Sequence, residues 1–422
     1  MLNYPNEVQF IMNILAENDY SSYLVGGCVR DICLNRNPKN YDIFTSAKTN
    51  EVINLFDQIV KTDIKPDSVT VLIDNFPIKI LTMTKDVGYI NGNSECIGYT
   101  DDLYEYLSRR DFTINAMALD KNGKLYDYYN GQLDINNHII RAVGSPFERF
   151  EEDPLRMIRA IRFSSQLNFT IDNMTKTSIA GCGNLIDNIE IERITKEINK
   201  ILVSDNPSKG FRELHSSGLL KLILPELDIC VGFDQNNVFH DKDIFEHTMV
   251  VVENIPAELN LRLSALLHDI AKPQTFNGGY FYGHHIEGAD LAEQILTRMK
   301  YDRKTIEKVK TLVFHHMDRC EKISLVKTKQ FIKNVGIENL NELFFLQLSD
   351  RSGCKHPFFD DILFLIDHAT EVLSKQKASK AKTIDIKSYD FVEVEIKPNE
   401  EKDSPRGSVN SFVLCPSSIN PI

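Results

Sequence analysis

The glycine pair at positions 26 and 27 constrains this chain more than any other feature. A strand-like run, Tyr23-Leu24-Val25, leads into Gly26-Gly27-Cys28-Val29-Arg30-Asp31, and Asn40-Tyr41-Asp42 follows after a short helical segment. Glycines at a strand-to-helix turn let backbone N–H groups approach a phosphate, and the helix start adds a favourable dipole. An acidic strand beside them suits a hard divalent cation. Alone, a Gly-Gly pair marks only a tight turn. Gly26 and Gly27 are the candidate cradle, Arg30 a charged partner for phosphate, and Asp42 a ligand for Mg²⁺.

Two later stretches give the pair its meaning. They are Arg109-Arg110-Asp111-Phe112-Thr113-Ile114-Asn115-Ala116-Met117-Ala118 and Glu152-Asp153-Pro154-Leu155-Arg156-Met157-Ile158-Arg159-Ala160-Ile161-Arg162-Phe163. In the second, Arg156, Arg159 and Arg162 recur every third residue against Leu155, Ile158 and Ile161, so an arginine face opposes an apolar face on one helix. Asp153 and Arg156, three apart, would share a helix face and offer acceptors and paired donors; a plain intrahelical ion pair has the same spacing.

With Gly-Gly-x-Val-Arg-Asp, these stretches resemble the bacterial class II CCA-adding tRNA nucleotidyltransferases and their poly(A) polymerase relatives, over about residues 20–335. The resemblance implies an α+β chain: a mixed α/β nucleotidyltransferase head (1–140), a helical neck and body with the nucleotide template and tRNA-binding surface (141–228), a helical domain (229–340) and a tail (341–422). It implies that Arg110, Asp111 and Asn115 hold the ribose and phosphates of the incoming nucleotide. Asp153 and Arg156 would read C or A, and Arg159 and Arg162 would line the cleft. The implied activity is addition of C, C and A to tRNA 3′ ends from CTP and ATP with Mg²⁺ at Asp42. An A-only or poly(A)-adding enzyme, a degenerate tRNA-binding protein and a phosphohydrolase are the alternatives. The segment Glu192-Arg193-Ile194-Thr195-Lys196-Glu197 resembles the family's next motif, a structural helix element.

Four places depart from the family pattern. Asn40 stands where the first metal-binding Asp is usual, and a neutral amide lacks the charge that attracts a hard dication. Lys79 stands where relatives carry an acid, and Thr84-Lys85 where a threonine–arginine pair is usual. The end after residue 405 has no counterpart. The glycine- and asparagine-rich 86–101 segment reads as a mobile loop of nearly full family length, which argues against relatives that add only C.

Seven of the eleven histidines fall between residues 240 and 316. His247, the doublet His268-Asp269 ending an apolar helix, His284-His285, and His315-His316 with Asp318 resemble a metal-dependent phosphohydrolase domain of the His-Asp superfamily. Imidazole and carboxylate donors together suit a transition metal that activates water. The resemblance makes His247, His268 and Asp269 the first ligands, with His284 and Asp318 behind them.

Composition sets the remaining bounds. The chain has 422 residues, enough for two or more domains, and its 42% hydrophobic content is ordinary for a globular protein. No apolar run reaches the ~18 residues of a membrane span, and no basic-then-apolar leader opens the chain. Eight cysteines without a Cys-x-x-Cys pair read as reduced thiols, so the expected location is cytoplasmic. A net charge of −12 confines contact with nucleic acid to local basic patches. Lys, Glu, Ser and Pro after Lys375 read as a partly disordered end.

Overall fold

The computed structural model describes residues 4–60, 67–86, 102–235, 241–319 and 324–376, with backbone alone for 84–86, 391–394, 411–414 and three short strands between 89 and 99. The chain forms two compact units, residues 1–190 and 191–422.

In the first unit, α1 (Asn6–Glu17) buries Val8, Ile11, Met12 and Leu15. Val8, Ile11, Met12, Ile14 and Leu15 at helical spacing predict a helix over 1–22. It stops at Glu17 because Asp19 takes a positive φ of 63° and Ser22 begins a strand. The sheet has six strands. β1 (Ser22–Val25) is followed by α2 (Gly27–Cys33), β2 (Tyr41–Thr45) and α3 (Thr49–Leu55). β3 (Ser68–Ile73) and β4 (Phe76–Thr82) form a hairpin. The Asp74-Asn75-Phe76-Pro77 stretch predicts a turn, and the structure narrows it to Asp74 and Asn75, both at positive φ (50° and 64°), as a two-residue hairpin turn requires. The sheet order is Leu125–Asp127, Met117–Leu119, β1, β2, β4, β3. β2 and β4 run parallel, placing Asp42 beside Lys79 and Phe44 beside Leu81.

That face of the sheet is covered by α4 (Leu103–Ser108), whose Leu103 and Leu107 join Val25, Phe44, Met83 and Ala118 in a core. Tyr106 of α4 stacks on Phe44 with ring centroids 3.4 Å apart. Over part of the segment read as a loop at 86–101, strands replace it: Thr84–Asp86 pairs with Ile97–Tyr99, and Tyr89–Ile90 with Asn93–Ser94. The rest of that segment lies outside the described residues. The unit continues through α5 (Gly131–Asn136), α6 (Pro146–Glu152), α7 (Leu155–Leu167) and α8 (Asn173–Cys182).

The second unit is helical. It runs through α9 (Ile191–Leu202), α10 (Pro207–Ser216), α11 (Leu219–Ile223), α12 (Pro225–Asp228), α13 (Ile244–Asn254), α14 (Leu259–Leu267), α15 (Lys272–Thr275), α16 (His284–Arg298), α17 (Arg303–His315), α18 (Leu325–Val335), α19 (Leu340–Ser352) and α20 (Asp360–Gln376). The start of the expected tail at 341 is therefore corrected. α19 buries Leu343, Phe344 and Leu346, and α20 buries Ile362, Leu365 and Ala369, because both carry continuous apolar faces. Residues 377–390, 395–410 and 415–422, expected to be disordered, lie outside the described residues.

Arg262 of α14 is buried and serves the end of α9. Its Nη1 donates to the carbonyls of Leu202 and Ser204 at 2.7 and 2.6 Å, and its Nε to Ile255 O at 3.4 Å. It thus satisfies carbonyls that a helix end leaves orphaned. Replacing it with methionine strips these acceptors while keeping bulk. Arg262→Met is expected to cost about 3 kcal/mol of unfolding free energy in the second unit, read as a lower urea midpoint at an unchanged slope.

Candidate functional site

The first unit gathers most of the predicted nucleotide-site residues around the glycine turn. Gly26 sits at φ 77° and caps α2, while β1 delivers the chain to it. A Cβ there would collide with the Arg110 guanidinium, so the absence of a side chain lets that cation lie against the turn. Arg110 Nη1 donates to Tyr106 Oη at 3.1 Å, which ties its position to the Phe44 stack.

From the turn runs a continuous polar chain. Arg30 donates through Nε and Nη2 to Asp31 Oδ1 (2.9 and 2.7 Å) and through Nη1 to Asn115 Oδ1 (2.9 Å). Asn115 Nδ2 donates to Asp111 Oδ1 at 3.0 Å. Asp111 Oδ2 accepts from Arg159 Nε at 2.9 Å and pairs with its Nη2. Asp111 is buried, and burial alone would raise its pKa, but Arg159, Arg110 and Asn115 outweigh it and hold the carboxyl well below the usual carboxylate range. Phe163 lies under three cations, with Arg30, Arg159 and Arg162 at 5.1, 5.9 and 4.1 Å from the ring centroid. Its role as the shared support was not legible in the motif; its spacing four and one residues from Arg159 and Arg162 was the available signal.

The template pair is arranged otherwise than the spacing predicted. Asp153 lies in the break between α6 and α7, at φ −144° and ψ 95°, and shares no helix face with Arg156. Pro154 opens α7, and a residue before proline is driven to extended backbone. Asp153 Oδ1 accepts from Leu155 N at 3.3 Å. Arg156 pairs with Glu152 at 2.9 Å and donates to the carbonyls of Arg149 and Arg109 at 3.2 and 3.0 Å. Asn40 is exposed just before β2, and Asp42 is half-buried on that strand. Burial raises the Asp42 carboxyl, against the pull of Arg110 and Lys79.

The second unit holds a separate centre. His247 (α13), His268-Asp269 (after α14) and Asp350 (α19) bring ligand atoms together, and Asp269 also meets His284 and His316. His247 Nε2 is 3.0 Å from Asp350 Oδ1 and 3.7 Å from Asp269 Oδ2. His268 Nε2 is 3.2 Å from Asp269 Oδ2; His284 and His316 Nε2 are 3.4 and 3.8 Å from Asp269 Oδ1. The Nδ1 atoms of His268, His284 and His316 donate to the carbonyls of Ala265, Phe281 and Val313 at 2.8, 2.8 and 2.6 Å. Carbonyls only accept, so each Nε2 turns its lone pair inward where the ring is neutral. Burial keeps the His284 and His316 rings neutral, and their Nε2 atoms face each other at 3.3 Å. Two acceptors so close need an electrophile between or beside them. Burial would also lower His268, but Asp269 and Asp350 push it up to about 10.

Asp318, expected as a ligand, stands outside this group and pairs instead with His315 Nδ1 at 2.6 Å. Asp350, two residues past Leu348 at the end of α19's apolar run, meets the histidines instead. Its distance along the chain from the histidines hid it, although an acid ending Leu-Phe-Phe-Leu-Gln-Leu-Ser was the signal. Lys272 Nζ, 2.7 Å from Asp269 Oδ2, and Arg319, paired with Asp350, were missed as well.

Comparison with known proteins places these geometries among relatives. Three family models match in series: the poly A polymerase head domain over 22–141, the probable RNA and SrmB-binding site of polymerase A over 168–230, and the HD domain over 244–352. The chain is 33% identical over 257 residues to a CCA-adding enzyme of Staphylococcus epidermidis, covering 61% of this chain and 63% of that one. It is 39% identical over 210 residues to a CCA-adding enzyme of Limosilactobacillus reuteri, covering 50% and 52%. The matches thus span less than two thirds of these relatives. The fold is shared with the Bacillus stearothermophilus CCA-adding enzyme in complex with CTP, at TM-score 0.67 and 23% identity over 90% of this chain and 83% of that one. It is shared with the Thermotoga maritima CCA-adding enzyme complexed with tRNA at TM-score 0.58 and 20% identity, over 92% and 86%.

A depressed carboxyl pKa contributes stability that is present above the unfolded value, 3.8 here, and is lost as pH falls. Asp111→Asn is therefore expected to cost about 3 kcal/mol near neutral pH. Urea titrations of both proteins should show the difference flat above about pH 5 and shrinking below about pH 4.

Proposed function

We propose that this chain, which belongs to the family of CCA-adding enzymes and poly(A) polymerases by its head, RNA-binding and HD segments, adds C, C and A to tRNA 3′ ends from CTP and ATP. The observation that carries the proposal is the unbroken chain Arg30–Asn115–Asp111–Arg159, which joins the glycine turn to the helix that bears Arg156.

Each group has a task that follows from its place. The N–H groups at Gly26 and Gly27 and the guanidinium groups of Arg30 and Arg110 face the triphosphate. Asn115 and Asp111, held by Arg159, orient the ribose without spending binding energy on ordering themselves. Asp153 in the break before α7 and Arg156 in its first turn would together accept cytosine or adenine. The arginine side of α7 receives RNA backbone, since sequence-independent contact goes mostly to phosphate and ribose. Asn40 adds only a neutral oxygen, so the donor set suits one Mg²⁺ poorly and two not at all.

The centre of the second unit supports a second activity. His247, His268, Asp269 and Asp350 would hold one transition-metal ion, and His284 and His316 with Asp269 a neighbour. Two ions bridged by a carboxylate suit hydrolysis of a phosphate ester. The residues fit such ions because the Nε2 atoms of His284 and His316, which face each other at 3.3 Å on neutral rings, have no proton to share.

Nucleotide incorporation into tRNA lacking C-C-A, with CTP and ATP supplied singly and together, tests the first activity. C is expected from CTP alone, and A only after two C. Extension of the fully truncated tRNA by ATP alone would replace the proposal with A-only addition. Arg156→Ala is expected to lower kcat/KM for the correct nucleotide about a hundredfold and to narrow its lead over the wrong one. In the second unit, a manganese- or nickel-loaded chain is expected to cleave p-nitrophenyl phosphate. His268→Ala should abolish that cleavage and leave incorporation unchanged.

A further inference from the structure

The strand that carries Asp42 sits beside one that carries a cation, in a register that leaves no choice about where that cation goes. β2 and β4 are parallel, and the pairs Asp42↔Lys79 and Phe44↔Leu81 are in register. Neighbours in register on parallel strands project to the same side. The Phe44–Leu81 end of this face is sealed by Tyr106. The Asp42–Lys79 end is half-buried and lies toward the turn where Arg110 rests against Gly26. Asn40, exposed just before this strand, is neutral and adds no negative charge.

The other acids of the site are already taken. Asp31 is paired with Arg30, and Asp111 with Arg159. Among the described residues, groups of three or more metal-binding side chains occur only in the second unit. Two-ion transfer chemistry rests on several carboxylates converging on the ions. This head offers Asp42 with Lys79 and Arg110 near it. The donor set does not fit a pair of divalent ions.

We infer that Lys79 supplies, as a fixed ammonium, the positive charge a divalent ion would otherwise bring to the triphosphate, so that nucleotide binding in this head does not depend on Mg²⁺. Lys79, Arg110 and Arg30 then neutralise the phosphates directly, as point charge and forked donors respectively. The electrostatics agree: Lys79 and Arg110 both draw on the Asp42 carboxylate, whose pKa nevertheless stays raised because burial is the larger effect. The inference rests on the reading that the head holds a nucleoside triphosphate.

Calorimetric titration of the full chain with CTP, in excess EDTA and in excess Mg²⁺, decides it. The dissociation constants in the two buffers are expected to agree within about threefold. Lys79→Met should weaken binding in EDTA about tenfold, and Lys79→Arg should restore it. Thermal melts of both variants show whether they fold alike. The double change Asn40→Asp with Lys79→Glu should make CTP binding depend on Mg²⁺. The inference is overturned if CTP binds wild type only with Mg²⁺ and Lys79→Met binds as wild type does. In that case incorporation into tRNA can persist, and the nucleotidyl-transfer reading survives. If CTP binds in neither buffer, the inference and the triphosphate reading fall together.

Discussion

The buried carboxylate of Asp111 is the interaction on which the first unit's site depends. It lies in the bend between α4 and a short 3₁₀ turn (Thr113–Asn115), where it has no sheet or helix to hold it in place. Arg159 from α7 and Asn115 from that turn hold it instead. Asn115 carries the constraint on to Arg30, which then cannot swing away from the glycine turn. Removing one member would leave a buried charge without its partner, a large cost for groups so far from water. The arginines of α7 therefore do two things. Arg159 fixes Asp111, and Arg156 holds the carbonyls of Arg109 and Arg149. Phe163 gives them a common floor, since three guanidinium groups lie over its ring.

The second unit solves a different problem with the same physics. Six donors are drawn from α13, the end of α14, the starts of α16 and α19's last turn, and the segment after α17. Three of the histidines spend their Nδ1 protons on carbonyls three residues back, so their inward nitrogens are set before any ion arrives. Lys272 and Arg319 hold the two carboxylates. The centre is thus preorganised from its outer side, where the helices supply fixed acceptors.

Much of this was legible in the sequence, and unevenly so. The glycine turn, Arg30, Arg110, Asp111, Asn115 and Arg159, picked out by their motifs, came together in one place, because short-range order and a buried face leave little freedom. His247, His268 and Asp269 did too. Asp153 left the helix face its spacing predicted, since Pro154 forces the residue before it out of the helix, a local rule that the three-residue spacing overrode in the reading. Asp318 and Asp350 exchanged roles because the one lies near the histidines in sequence and the other near them only in space. α19 and α20 lie in the segment labelled a tail from 341, although the helical pattern of the sequence runs on to about residue 375.

The sequence by itself determined the order of the modules, the residue types available at each site and the loss of negative charge at position 40. Those are properties of composition and local pattern, which need no folding to exist. Tertiary structure decided which of those residues meet. It set Lys79 beside Asp42 through a parallel strand register, brought Asp350 across about eighty positions of chain to Asp269, and tied Asp111 to a helix 48 residues further on. Such pairings depend on long-range packing, whose loop-closure cost is met only when the whole core forms at once.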